Sequence, residues 1–148
     1  MKNKSEDVVF ISDSRNITLK NLKATHIEHD GPLGCTGSAI QVYDNNDILI
    51  EKCALNGSGI IGVVAYETRN LKIVDNYIYN NSRYGVLYTN TSVEINNNKF
   101  EDNGPNGNDH VAEGLNGGLS EIVPIEGNVN KRDIQMSGNT FIQSPDSM

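Results

Sequence analysis

The chain has no tryptophan, only two cysteines and only four prolines among its 148 residues. Two cysteines, Cys35 and Cys53, cannot form a disulfide framework, and no Cys-x-x-Cys spacing offers a structural zinc site. Long apolar runs are missing as well. None approaches the roughly 20 residues that a membrane-spanning helix needs, and the opening MKNKSEDVV lacks the apolar centre of a signal peptide. No membrane partner is therefore expected, and the chain reads as cytoplasmic or as a fragment of a secreted or cell-surface protein. Basic residues are scarce. Twelve of them against nineteen acidic ones leave a net charge of −7, so the cationic surface that displaces counterions from phosphates is lacking and nucleic acid is not expected. No stretch shows the periodicity of an amphipathic helix.

What is present is a repeat. The stretch 62–84, GVVAYETRNLKIVDNYIYNNSRY, realigns on its neighbours when shifted by its own length, which brings Ala39, Gly62 and Gly85 into line. A period of that size with Asn-rich, β-branched content suits a coiled solenoid, in which one coil cannot bury its own apolar face and must stack on the next. The most regular strand recurs as Ile17-Thr-Leu19, Ile48-Leu-Ile50, Leu71-Lys-Ile73, Val93-Glu-Ile95 and Ile134-Gln-Met136. This alternation predicts half-buried strands with Thr18, Leu49, Lys72, Glu94 and Gln135 outward. Ala24, Leu55, Ile78, Phe100 and Phe141 follow as core positions. Asn76, Asn98 and Asn139 precede the last three of these and suit a stacked amide ladder, whose place in the second coil Cys53 takes as a small buried side chain.

A further strand, Ile40-Gln-Val42, Val63-Val-Ala65 and Val86-Leu-Tyr88, comes before the regular one, which gives three short strands per coil joined by Asn, Asp and Gly corners. The fold class is all-β, one single-domain solenoid over residues 1–148 with about five coils of about 22–24 residues each. The steps from Ile17 to Ile48 and from Val93 to Ile134 are longer than the two between them, so two coils carry insertions, near 26–38 and 102–120. Residues 143–148 are expected to fray.

The segments NITLKNL, DILIEKCAL, NLKIVDNYI and SVEINNNKF resemble the repeats of right-handed parallel β-helix proteins of the pectate-lyase-like superfamily. GCTGSAIQVYDNNDILIEKCAL looks like a bacterial subgroup with a Gly-Cys-x-Gly loop before a strand. The resemblance implies the right-handed coil. It also implies one of three roles: a polysaccharide lyase, hydrolase or epimerase; a sugar-binding module; or a structural module. The repeat specifies fold better than chemistry.

Candidate site residues follow from placing both insertions at one corner, about 14 Å apart across three stacked coils. Two such loops would wall a trough, with His26, His29 and Asp30 on one side and Asp109, His110 and Glu113 on the other. Asn56, Ser58, Ser82, Arg83 and Tyr84 would form its floor. Tyrosines stack on sugar faces, amides answer hydroxyls and Arg pairs with a uronate carboxylate, so the expected ligand is a polysaccharide. His29, Asp30, Arg83 and His110 are the candidates for catalysis, since histidines titrate near neutrality. Ordinary solvated loop residues would give the same composition. No acidic cluster on adjacent coils or paired-Asp motif of the known enzymes appears, so the expected function is carbohydrate binding or processing. The alternatives are a lyase, hydrolase or epimerase, and a non-catalytic assembly module. No cofactor is expected. Asp102 and Asp109, with Asn106 and Asn108, form a weak Ca²⁺ candidate without EF-hand spacing.

Two short motifs carry no weight. Gly57-Ser-Gly59-Ile-Ile-Gly62 fits a dinucleotide fingerprint but leads into a strand rather than a helix, and Asn16 and Asn90 head glycosylation triplets that Asn-rich chains produce by chance. Tyr43 and Tyr66 are expected to stack at a strand exit, and Tyr88 to point inward. Solenoid ends leave strand edges unpaired, so end-to-end self-association is a further expectation.

Overall fold

The structure, a computed structural model, describes residues 2–3, 7–26, 37–57, 61–104, 110–114, 122–123 and 134–145. A short strand, Lys2–Asn3 (β1), precedes the first coil, Val9–Ser12 (β2), Arg15–Lys20 (β3) and Lys23–His26 (β4). The second coil is Ser38–Tyr43 (β5), Asn46–Glu51 (β6) and Ala54–Gly57 (β7), and the third Ile61–Tyr66 (β8), Arg69–Val74 (β9) and Tyr77–Tyr79 (β10). Tyr84–Thr89 (β11), Val93–Asn96 (β12) and Lys99–Glu101 (β13) form the fourth. The fifth starts with Val111–Gly114 (β14), detours through Ile122–Val123 (β15), and ends with Ile134–Ser137 (β16) and Thr140–Ile142 (β17).

These strands stack into three sheets. Sheet A runs β1-β4-β7-β10-β13-β17, sheet B β15-β14-β11-β8-β5-β2, and sheet C β16-β12-β9-β6-β3. Every pairing is parallel except β14 with β15. Sheet C keeps the register read from the repeat, with Ile17, Ile48, Leu71, Val93 and Ile134 in one column. Ala24, Leu55, Ile78, Phe100 and Phe141 form a column in sheet A. Inward residues of the inner coils are fully buried.

Corners close because their residues tolerate the left-handed backbone region. Positive φ recurs in columns: Asp13, Asp44, Glu67 and Asn90 after sheet B strands, and Asn21, Lys52, Asp75, Asn97 and Gly138 after sheet C strands. Asn and Asp bear this conformation at low cost.

Polar columns line the corners. Asn76, Asn98 and Asn139 form the expected ladder: each Oδ1 accepts an amide N–H from the coil before, and each Nδ2 donates to a carbonyl there, as Asn98 does to Ile73 at 2.8 Å. Cys53 takes the same place, its Sγ 3.6 Å from the Leu19 carbonyl. Two more columns exist. Asn45 accepts the Ser14 N–H at 2.9 Å and Thr91 accepts that of Thr68 at 3.2 Å, while Asn103 accepts Asn81 Nδ2 at 2.7 Å.

Two boundaries differ from expectation. The stretch 102–120, read as one corner insertion, contains β14, whose Val111 pairs with Val86 of β11. Val111 follows Phe100 only slightly later than Val86 follows Ile78, so that corner gains little. The larger detour lies between β14 and β16, at the corner from sheet B to sheet C. Strand pairing decides this, because β14 satisfies its backbone groups by continuing sheet B. Gln143 and Ser144, expected to fray, are held: Asp102 accepts the Ser144 N–H at 2.6 Å and its hydroxyl at 2.9 Å, and Gln143 Nε2 donates to the Gly104 carbonyl at 3.4 Å. Residues 146–148 lie outside the described residues.

Candidate functional site

On the outer surface of sheet A, strand alternation brings four long side chains together. Ile78 and Phe100 point into the core, so Tyr77 and Tyr79 of β10 and Lys99 and Glu101 of β13 point out. Their register pairs Tyr77 with Lys99 and Tyr79 with Glu101. The two tyrosine rings stack at 4.1 Å between centroids and 9° between planes. Lys99 Nζ lies 4.7 Å from the Tyr77 ring centroid and 2.5 Å from Glu101 Oε2, and the Tyr77 hydroxyl donates to that same oxygen at 2.6 Å.

Electrostatics follow from these contacts. The Lys99 hydrogen bond, aided by that of Tyr77, holds the Glu101 carboxyl below its ordinary range. Donation to Glu101 pushes the Tyr77 phenol up to about 12. At neutral pH the site is therefore an ionised acceptor beside a protonated donor, and Tyr77 is no general base. Half-buried Asn56 pairs with Tyr79 from β7, completing a row of amide, phenol and carboxylate across three strands. Such a row can answer sugar hydroxyls while an aromatic ring covers an apolar sugar face.

Sequence reasoning overlooked Tyr77 and Tyr79. The signal was available: Tyr-Ile-Tyr with Ile78 in the core column places both rings outward.

The residues expected to form a trough fare differently. His110 is 4% exposed and is no wall residue. It occupies the column of Ala39, Gly62 and Gly85, with its ring 6.1 Å from that of Phe100 and 5.5 Å from that of Phe141. Its Nδ1 is 3.3 Å from Asn103 Nδ2, which places it at the end of a polar column. Tyr84 is 7% exposed and lies in an outer apolar cluster with Ile61, Val64 and Leu87, so it floors no open groove. Arg83, exposed, sits 5.8 Å from the Tyr84 ring, and these two are brought together. Asp102 is engaged with Ser144 rather than arranged around an ion, and among the described residues no group of three or more His, Cys, Asp or Glu could hold a metal. The backbones of His26 and Glu113 lie in β4 and β14. His29, Asp30, Ser58, Asp109, Asn106 and Asn108 lie outside the described residues.

Tyr43 and Tyr66 share a register position, Tyr43 exposed and Tyr66 half-buried, and Tyr88 is in the core as expected.

The family model described as "Right handed beta helix region" matches residues 1–143. The chain belongs to this right-handed β-helix family. The parallel three-sheet stack agrees with that assignment, and the match sets the hand of the coil, which the repeat leaves open. No curated protein and no solved structure matches this β-helix. No helix of the described residues is long and apolar enough to cross a membrane.

Proposed function

We propose that this β-helix is a carbohydrate-binding module whose ligand lies across the outer face of sheet A. The supporting observation is the Tyr77, Tyr79, Lys99 and Glu101 cluster. Its rings and charges hold one another in place before any ligand arrives, which lowers the ordering cost of binding. Tyr79 offers an aromatic surface, Glu101 an acceptor, Lys99 and Asn56 donors. A net charge of −7 disfavours polyanionic chains, so a neutral glycan is the fitting class.

Binding suits this face better than turnover. A hydrolase needs two facing carboxylates, and Glu101 is the only one among the described outward residues of the sheet A strands. A lyase needs a base, and here Tyr77 keeps its proton while hydrogen bonds from Lys99 and Tyr77 make the Glu101 carboxylate a weaker base than usual.

The test is a glycan-array screen of the purified chain followed by calorimetry on each hit. A neutral glycan should bind, and Tyr79→Ala or Glu101→Gln should weaken it about tenfold or more with unchanged circular dichroism. Hits whose affinity ignores both substitutions would overturn the placement; no hit at all would overturn the function.

A further inference from the structure

The two ends of the coil differ from its middle. Sheet A is covered at the first coil by β1, and sheet B at the last coil by β15, each a short strand held by two residue pairs. Among the described residues, sheet C alone ends at both extremes in strands of a full coil, β3 and β16. Inward residues that are buried in the inner coils become half-exposed there: Ile17 and Leu19 at one end, Ile134 and Met136 at the other. Phe141, the last residue of the sheet A column, is 48% exposed.

The two terminal stretches of the sequence differ in charge as well. Residues 1–26 contain five basic and three acidic side chains, whereas residues 110–148 contain two basic and five acidic. The N-terminal stretch of the sequence is net positive and the C-terminal stretch net negative.

We infer that copies of this chain associate head to tail, with β16 of one pairing in parallel with β3 of the next. Continuing the established register sets Ile134 on Ile17 and Met136 on Leu19, so the half-exposed apolar pairs cover each other. The backbone edges that no described strand covers, otherwise templates for any strand, find partners. Opposite charge favours this orientation over head to head and weakens with salt. Because the two surfaces are different, the contact is heterologous and does not close on itself, so open-ended oligomers result. β1 and β15 stand in sheets A and B of the joint and are the short pieces that must yield, which keeps the association weak. This inference does not depend on the glycan reading.

Sedimentation velocity across a concentration series tests it. The mass should rise with concentration through several multiples of 16.2 kDa, and less so at high salt. Arg15→Glu, an exposed change in β3 within the net-positive N-terminal stretch, should shift the series toward monomer. Leu19→Lys should block one end and Phe141→Asp the other. Each alone should be arrested as monomer, while an equimolar mixture of the two should form a dimer and nothing larger, because one intact end of each remains. Circular dichroism confirms that both variants fold; if either does not, the Arg15→Glu and salt series decide. A monomer at every concentration overturns the inference, as does a dimer that Phe141→Asp forms by itself, which would mean a symmetric contact.

Discussion

Asn98 Oδ1 accepts two hydrogen bonds from Asn76 at once, from its backbone N–H at 2.8 Å and from its side-chain Nδ2 at 3.0 Å. Both residues are buried, so each rung depends on the next for groups that water cannot reach. Asn98→Leu leaves those donors and the Ile73 carbonyl without their partner. At about 1–3 kcal/mol for each unsatisfied buried group, the loss should be about 3 kcal/mol or more, read as a lower urea midpoint. Cys53→Asn should act the other way, gaining about 1 kcal/mol by adding an amide donor toward the Leu19 carbonyl.

Among the described residues, Lys52 and Glu67 are the two left-handed corner residues that are neither Gly, Asn nor Asp, with φ of 53° and 48°. Both side chains are exposed, so little else depends on them. Lys52→Gly and Glu67→Asn should each stabilise by about 1 kcal/mol and raise the Tm by about 3 °C. A lowered Tm would show that these corners do not adopt the left-handed region in solution.

A methyl group added at Gly85 would lie 2.5 Å from the His110 carbonyl and 2.8 Å from the Phe100 ring. The carbonyl belongs to a backbone fixed by its bond from the Val86 N–H at 2.8 Å, so it cannot retreat. Gly85→Ala should cost about 3 kcal/mol, checked by thermal denaturation.

His110→Ala separates structure from binding. Removing a ring packed against Phe100 and Phe141 should cost about 2 kcal/mol yet leave glycan affinity unchanged, because the ring is buried away from the sheet A face. Loss of affinity at full stability would restore His110 to the site.

Glu101 and Tyr77 set opposite limits on pH dependence. The depressed Glu101 carboxyl contributes stability above its ordinary value of 4.5, and loses it as pH falls through the lowered pKa. The raised Tyr77 phenol contributes below its ordinary value of 10.0, and loses it as pH rises toward about 12. The cluster should therefore leave stability flat across neutrality. Absorbance titration of tyrosinate should show a late component that Tyr77→Phe removes; an unchanged titration would mean that the Tyr77 to Glu101 bond is not kept in solution.

The coil itself could be read from the chain without coordinates: alternating apolar pairs that recur once per repeat can be buried only by stacking, and the register of sheet C follows from their alignment. The Asn76 to Asn139 ladder was legible for the same reason, since stacked identical residues share one position. The Asn81 and Asn103 column was written as plainly, one repeat apart, but a single repetition does not stand out in an Asn-rich chain.

Where extra residues leave the coil, and which corner residues face water, emerged only from the folded arrangement. Alternation assigns a side to residues within strands, but corners have no period, so His110 could be read as a wall residue although it fills the core beside Gly85 and Phe100. Outward position did not ensure exposure either. Val64 and Leu87 point away from the core column and are still 3% and 2% exposed, in a second apolar cluster. Tyr77 and Lys99 became one site because parallel pairing puts residues of successive coils side by side, a relation that exists only once the coil has closed.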